Sequence, residues 1–195
     1  MPNNSNLNSS KLTGGDSEFV SVSEVSSKDV EIYLDHLERH TQESGREGNL
    51  IFMPYESSRI RNRNEARKTL QEMWGRSCHE PRWERAWVLR RGGMIVGHLD
   101  LRTSQLETTL HRAELGMGIE REFRGVGWGQ KLLELAIRWA KETETLNWID
   151  LGVFEHNVPA FRLYQRFGFR ELGRQCDAFR VSGMKITNIR MTLEL

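Results

Sequence analysis

The 195 residues suffice for one domain with a sizeable core, and the formal charge of +1 at pH 7 argues against a basic nucleic-acid-binding domain. All apolar runs are shorter than a membrane-spanning helix requires. Cys78 and Cys176 have neither metal-ligand nor disulfide-scaffold spacing, which favours a reduced, cytoplasmic protein. Residues 1–17 are rich in Asn, Ser and Gly and lack a secretory pattern, so we predict a disordered leader followed by one domain over 18–195.

The segment after the leader predicts a short strand and two helices. Alternation over residues 19–22 favours a strand. Ser27 is a suitable N-cap for a helix with an apolar face that ends near Ser44, and Asn64 is a suitable N-cap for a second helix. The loop of residues 53–63 is either solvated or lines a substrate entrance. It carries three arginines, Arg59, Arg61 and Arg63.

The remaining sequence alternates strand and helix patterns. Gly92-Gly93 and Ser182-Gly183 are typical of turns, and Asn157 before Pro159 is typical of a helix start. The predicted strands are 85–89, 94–101, 111–119, 148–153, 169–174, 177–181 and 186–193, and the predicted helices are 128–141 and 157–166. This order indicates a mixed α/β sheet with helices on its faces.

A glycine-rich turn, Arg124-Gly125-Val126-Gly127-Trp128-Gly129, separates a predicted strand from a predicted helix. Glycine permits left-handed backbone and close approach of a ligand, and the helix would direct its unpaired N–H groups and positive dipole end at the turn. Such a site suits phosphate. Its spacing differs from both a P-loop and a dinucleotide fingerprint. The alternative is a turn that only packs the helix against the sheet.

A second motif follows the turn. It reads N-x-x-A-F-x-L-Y-x-x-x-G-F and is formed by Asn157, Ala160, Phe161, Leu163, Tyr164, Gly168 and Phe169. With it, the chain resembles the Gcn5-related N-acetyltransferase (GNAT) superfamily, whose pattern Gln/Arg-x-x-Gly-x-Gly/Ala is matched by Arg124, Gly127 and Gly129. The resemblance covers about residues 85–193. It implies an α/β (α+β) fold, a single-domain, mostly antiparallel sheet of six to seven strands flanked by about four helices.

The resemblance also implies acetyl-CoA as co-substrate, without a metal. Tyr164 would contact the cofactor and act as general acid toward the leaving thiolate, or would only pack beside it. Asn157 would cap its helix, contact the pantetheine arm, or do both. A backbone N–H of Met117 or Ile119 would stabilise the oxyanion. The phosphates would lie on the backbone of Arg124, Gly125, Val126, Gly127, Trp128 and Gly129, and the pantetheine arm would lie along Met117, Gly118 and Ile119.

The group that deprotonates the amine before its direct attack has two candidates. Glu114 lies on a central strand, and Glu155 follows the next strand; for Glu114 a surface or interstrand ion pair is the alternative interpretation. The acceptor would be a polyamine, an amino acid or analogue, an aminoglycoside, or a peptide N-terminus. A catalytically silent acyl-CoA sensor is the alternative function. We expect no nucleic-acid or membrane partner, and residues 186–193 could pair across a homodimer.

Overall fold

The computed structural model describes residues 19–55 and 62–195. The strands are β1 (Val20–Glu24), β2 (Glu84–Arg91), β3 (Met94–Arg102), β4 (Arg112–Ile119), β5 (Trp148–Phe154), β6 (Arg170–Val181) and β7 (Met184–Glu194). The helices are α1 (Val30–Glu43), α2 (Arg63–Gly75), α3 (Trp128–Glu142) and α4 (Val158–Arg166). Within these residues the strands form one sheet in the order β1-β2-β3-β4-β5-β7-β6, antiparallel throughout except between β4 and β5. The predicted α/β (α+β) fold is confirmed.

The predicted leader, residues 1–17, lies outside the described residues, so the division into leader and domain stays a prediction. Arg59 and Arg61 of the predicted loop also lie outside them. Arg63 begins α2, and its guanidinium donates to the carboxylates of Glu31 (3.0 Å) and Asp35 (2.6 Å) on α1. The charge of Arg63 therefore forms ion pairs that link α2 to α1. Among the described residues, no helix combines the length and the apolar character that crossing a membrane requires.

Two helix starts differ from the prediction by one or two residues. Asn62, and not Asn64, caps α2, because its side chain accepts a hydrogen bond from the N–H of Glu65 (3.2 Å). Ser26, and not Ser27, precedes the short 3₁₀ turn that leads into α1, and its N–H donates to the carboxylate of Asp29 (2.8 Å). Each of these two segments has neighbouring residues that can cap a helix, and tertiary packing selects one of them.

The C-terminal strands also differ from the prediction. Two strands were expected over 169–174 and 177–181, but β6 is one strand that pairs with β7 on both sides of an irregularity between Gln175 and Phe179. Asp177 has a φ of 51° at that irregularity, which breaks the alternation of the strand without ending it. The turn at Ser182-Gly183 joins β6 to β7 as predicted.

The two faces of the central strands have different chemistry. On one face Leu99 and Leu101 of β3 and Leu115 of β4 pack into the main core with α3. On the opposite face, β3 presents His98 and Asp100, because successive strand residues point to opposite faces. That face therefore carries a polar layer beside a smaller apolar cluster, which α1 forms with Ala86 and Val88 of β2.

Replacing Leu132 by Ala is expected to lower the free energy of unfolding by about 2–5 kcal/mol, because this α3 side chain is fully buried in the main core. Leu172→Ala is the matched control, because Leu172 is 63% exposed on β6 and its removal should change stability by less than about 0.5 kcal/mol. Chemical denaturation measures both. Equal losses in the two variants would show that Leu132 does not lie in the core.

Candidate active site

The sheet opens between β4 and β5. Within the described strands, their parallel pairing is limited to Arg112–Glu114 against Trp148–Asp150. Both strands continue beyond that point, β4 to Ile119 and β5 to Phe154. The divergence leaves a cavity of about 970 Å³ that reaches from α1 to α4.

The backbone of β4 faces this opening at alternate residues. The N–H of Glu120 donates to the carbonyl of Val96 on β3 (2.9 Å). Main-chain groups of successive strand residues point to opposite sides, so Met117 and Ile119 direct theirs away from β3 and toward the opening. An extended, amide-bearing chain placed here could hydrogen-bond to β4 as an additional strand would.

Glycines on the polar face leave room for polar side chains from neighbouring elements at the wall of the cavity. A Cβ at Gly116 would lie 2.7 Å from Oδ1 of Asp100. A Cβ at Gly118 would lie 2.3 Å from Nε2 of His40, and one at Gly152 would lie 2.9 Å from Oδ1 of Asn188. Polar side chains from α1, β3 and β7 thus occupy the space that side chains of β4 and β5 would fill.

The glycine-rich turn places the N-terminus of α3 at one end of the cavity. Gly125 and Gly127 have φ angles of 79° and 93°, which favour glycine. Gly127 is the N-cap, no side chain caps this helix, and its first backbone bond is from the N–H of Lys131. The preceding N–H groups of α3 are thus available to an anion, with the positive end of a 15-residue helix behind them.

Arg124 points away from the anion site. Its Nε donates to the carbonyl of Ile119 (2.6 Å) and its Nη2 to the carboxylate of Glu43 on α1 (2.5 Å), while the guanidinium lies 4.9 Å from the ring centre of Phe52. Burial lowers the pKa of this guanidinium. The Arg124 side chain therefore attaches the turn to α1. The turn presents backbone groups, and not this charge, to the anion site.

Tyr164 lies on α4 and faces the cavity. Asn157 caps this helix through a hydrogen bond from the N–H of Ala160 (3.4 Å), and Pro159 occupies its first turn. The Tyr164 side chain is 6% exposed and packs edge-on against Phe169. Burial, and secondarily the charge of Asp100, raises the pKa of the phenol above its ordinary value. Tyr164 therefore keeps its proton at neutral pH.

Both sequence-predicted bases are held in ion pairs. The two carboxylate oxygens of Glu114 accept from the Arg190 guanidinium at 2.9 and 3.0 Å, and hydrogen bonding to Glu114 raises the pKa of Arg190. Glu155 is exposed and accepts from Arg174 at 2.5 Å. The interstrand ion pair that the sequence offered as the alternative for Glu114 is present, and its role as general base stays a prediction.

The cavity brings together most of the predicted site residues and leaves out Val126, Trp128 and Glu155. Val126 is exposed, and Trp128 stacks with the Lys131 ammonium, 5.5 Å from its ring centre; neither side chain lines the cavity. The described residues contain no group of three or more His, Cys, Asp or Glu placed to hold a metal ion. The predicted residues that line the cavity are Glu114, Met117, Gly118, Ile119, Arg124, Gly125, Gly127, Gly129, Asn157 and Tyr164.

A buried histidine cluster beside the cavity was not predicted from the sequence. His36, His40 and His98 are 0%, 3% and 5% exposed. The spacing of His36 and His40, one helical turn apart, and the alternation of His98 with Asp100 on a strand were the available signals. The sequence does not show that α1 packs on β3 at this point, so the cluster could not be assembled from it.

Comparison with known proteins identifies the family that this chain matches. The family model described as Acetyltransferase (GNAT) family matches residues 50–169. A spermine/spermidine N(1)-acetyltransferase of Bacillus subtilis is 42% identical over 52 residues, which cover 27% of this chain and 34% of that enzyme. The chain thus spans about a third of that relative's length.

Two solved structures share the fold over nearly their whole length. An acetyltransferase of the GNAT family from Streptococcus pneumoniae has a TM-score of 0.79 at 23% identity, covering 90% of this chain and 99% of that one. A presumed acetyltransferase from Salmonella typhimurium, determined with its cofactor acetyl-CoA, has a TM-score of 0.71 at 14% identity, covering 90% and 94%. Because the family model covers more than half of the sequence and the seven-stranded, mostly antiparallel sheet agrees with the expected fold, this chain belongs to the acetyltransferase (GNAT) family.

Proposed function

We propose that this protein is an N-acetyltransferase that moves the acetyl group of acetyl-CoA to a primary amine of a small molecule or a protein N-terminus. The observation that carries the proposal is the position of Tyr164, a proton-bearing phenol in the same cavity as the uncapped helix N-terminus and the open edge of β4. The family assignment supports this activity. The polyamine acetyltransferase and the acetyl-CoA-bound structure among the similar proteins support an amine acceptor and this co-substrate.

The residues present fit acetyl-CoA along the length of the cavity. The pyrophosphate would lie on the N–H groups at Gly125 to Gly129, where no side chain caps α3. The amides of the pantetheine arm would pair with the main chain of Met117 and Ile119 at the opening. Gly129 has a packing role as well, because a Cβ there would lie 3.2 Å from Cδ2 of Leu163 on α4. In this arrangement the thioester reaches the polar layer near Gly118.

The proposed reaction is direct attack of a neutral amine on the thioester carbonyl. The carbonyl oxygen becomes an oxyanion in the tetrahedral intermediate, and a backbone N–H of Met117 or Ile119 is placed to stabilise it. Collapse of the intermediate breaks the C–S bond, and Tyr164 donates its proton to the departing thiolate. The attacking nitrogen, positively charged in the intermediate, loses one proton to become the neutral amide, and a proton returns to the phenolate of Tyr164, directly or through water.

The charges around the cavity do not identify the acceptor. Asp100 is paired with Arg102 at 2.5 Å, as Glu114 is with Arg190, so the floor is electrically balanced and not the acidic surface expected for a polycation. We retain the cytoplasmic location, the absence of nucleic-acid and membrane partners, and the possible homodimer as predictions from the sequence.

The proposal predicts acceptor-dependent release of free thiol from acetyl-CoA. The assay contains spermidine, L-methionine, kanamycin or an alanine dipeptide amide as acceptor, and a sample without acceptor measures thioester hydrolysis. Calorimetry with acetyl-CoA is run in parallel. We expect saturable binding and thiol release with at least one acceptor. Binding without release across a widened amine panel would favour a sensor, and failure to bind would contradict both functions.

A further inference from the structure

The side-chain amide of Asn188 lies in the wall of the cavity without a partner from the protein. Asn188 is on β7 opposite Phe154 of β5, lines the cavity and is only 8% exposed. Its side chain forms no hydrogen bond with any residue in the described ranges, 19–55 and 62–195. Buried amides normally have partners, because an unpaired one costs free energy. The partner of this amide must therefore come from the cavity, as water or as a ligand.

Gly152 of β5 allows the amide to lie over the strand backbone where the sheet divides. A Cβ at Gly152 would be 2.9 Å from Oδ1 and 3.1 Å from Nδ2 of Asn188, so the amide occupies the place of that side chain. The pairing of β5 with β4 ends at Asp150, two residues earlier, and Gly152 itself is exposed to the cavity. Both polar atoms of the amide therefore lie at the start of the opening, on its β5 side.

The charged groups beside Asn188 are already paired with each other. Arg190, two residues along the same face of β7, reaches across β5 and donates two hydrogen bonds to Glu114 of β4. Asp100 accepts from Arg102 at 2.5 Å in the same cavity. A carboxylate or a second ammonium group on the acceptor would meet no uncompensated charge from these two pairs. A neutral polar group on the acceptor fits this surface better.

The other side of Asn188 is apolar. Ile186, two residues earlier on the same face of β7, belongs to a cluster in which the ring centres of Phe154 and Phe179 are 5.4 Å apart. Both rings line the cavity. Asn188 is thus a neutral hydrogen-bonding group between an ion pair and an apolar surface. This arrangement suits an acceptor with a neutral polar group beside its amine and carbon groups beyond it.

The chemistry of an asparagine amide narrows that polar group further. The amide accepts through its carbonyl oxygen and donates through its adjacent NH₂ group, so a ligand matches it by presenting a donor and an acceptor on one edge. In an extended peptide, the nitrogen and the carbonyl oxygen of one residue lie on the same side of the chain. The first residue of a peptide has its free amine and its carbonyl group in this relation.

We propose that Asn188 selects acceptors that carry a neutral carbonyl group on the same carbon as the amine, as peptide N-termini and amino acid amides do. The proposal rests on the acetyltransferase function above and narrows its acceptor. Oδ1 accepts from one N–H of the neutral amine, and Nδ2 donates to the carbonyl oxygen. The lone pair of the amine then remains for the thioester on the β4 side of the opening. Polyamines and aminoglycosides lack this carbonyl group, and free amino acids carry a charged carboxylate in its place.

The test uses L-alaninamide, L-alanine and isopropylamine, which bear a carboxamide, a carboxylate or a methyl group on the same amine-bearing carbon. In Asn188→Leu both hydrogen bonds are lost at similar side-chain size. The ratio of kcat/KM for L-alaninamide to kcat/KM for isopropylamine should then fall by about 10-fold or more. Comparing ratios between proteins cancels the different pKa values of the amines. A ratio that equals the wild-type ratio would overturn the proposal.

The wild-type protein alone tests whether the selected carbonyl group is neutral. Calculated per neutral amine, kcat/KM should be higher for L-alaninamide than for L-alanine, and the reverse order would overturn this part of the proposal. The alanine dipeptide amide contains the same amine and carbonyl group as L-alaninamide. Their relative kcat/KM values distinguish a peptide N-terminus from a small amide as the acceptor.

Two further variants separate hydrogen bonding from general effects of mutation. Asn188→Asp keeps the shape and the accepting oxygen but cannot donate to the carbonyl group, so the ratio should fall as it does in Asn188→Leu. Gln175→Leu is the matched control, because Gln175 is opposite Asn188 on β6, is exposed, and is not among the described residues that line the cavity. A wild-type ratio in Asn188→Asp, or an equal fall in Gln175→Leu, would overturn the role of Asn188.

Nitrogen-15 NMR of the side-chain amides tests the contact without turnover. Spectra of the full chain with coenzyme A are recorded before and after addition of L-alaninamide or isopropylamine, and the Asn188 signal is the one that Asn188→Leu lacks. We expect this signal to shift with L-alaninamide and not with isopropylamine. The same response to both amines would overturn the proposal, whether or not any amine is acetylated.

The outcomes for the acceptor class and for the proposed function are distinct. Wild-type protein that acetylates spermidine or kanamycin, but neither L-alaninamide nor the dipeptide amide, would overturn the role of Asn188 and leave the acetyltransferase function intact. A selective NMR shift without acetylation of any amine would instead contradict the acetyltransferase function and support the amide contact.

Discussion

Tyr164→Phe is expected to lower kcat by about 10²- to 10³-fold while leaving the affinity for acetyl-CoA nearly unchanged. The variant removes only the hydroxyl, so the edge-on packing against Phe169 and the shape of the cavity are retained. The raised pKa of the phenol means that wild-type Tyr164 stays protonated up to high pH. The loss should therefore persist across the neutral and mildly alkaline range.

Steady-state thiol release and calorimetric titration with acetyl-CoA measure the two quantities separately. The thermal stability of the variant is the control for folding. Wild-type kcat in Tyr164→Phe would remove the assigned role. A loss of affinity equal to the loss of kcat/KM would instead indicate that Tyr164 only packs beside the cofactor.

Gly127→Asp is expected to weaken acetyl-CoA binding by more than about 100-fold, which corresponds to about 2.7 kcal/mol. A Cβ at Gly127 meets no protein atom within 4 Å, so the protein itself leaves room for the side chain. The expected loss comes from a carboxylate at the helix N-terminus where we propose that the phosphates bind, and from the positive φ of 93°.

Gly127→Asn is the matched control because it has the same size without the charge and tolerates a positive φ better than most residues. Its affinity should lie between those of the wild type and of Gly127→Asp. The difference between the Asp and Asn variants measures the electrostatic part, which should decrease at high salt. Wild-type affinity in Gly127→Asp would exclude this turn as the phosphate site.

The order of the elements could be predicted because each part of the fold has a local signal. Glycines mark the turn before α3, and Asn157 with Pro159 marks the start of α4. The errors lie where two local signals compete, as at Asn62 and Asn64, or where a strand continues through an irregular pair. β6 passes through Asp177 because β7 offers a continuous partner, and that partner is not visible in the local sequence.

The candidate site likewise contains residues that local motifs identify and residues that only the folded chain brings together. The turn and Tyr164 belong to short motifs, so they could be identified, although their roles stay untested. The partner of Glu114 is Arg190, 76 residues away, and the partner of Arg124 is Glu43, 81 residues away. His36 and His98 are 62 residues apart. Which charged or polar side chains become partners therefore depends on how distant elements pack.

The central claim is that the cavity between β4 and β5 transfers an acetyl group from acetyl-CoA to an amine. The most direct test incubates the protein with isotope-labelled acetyl-CoA and the acceptor panel, then measures free thiol and the mass of each acceptor. We predict that one labelled acetyl group appears on an acceptor amine for each thiol released, and that Tyr164→Phe slows both together. Thiol release without an acetylated amine, or acetyl-CoA binding with neither product on a broad panel, would contradict the claim.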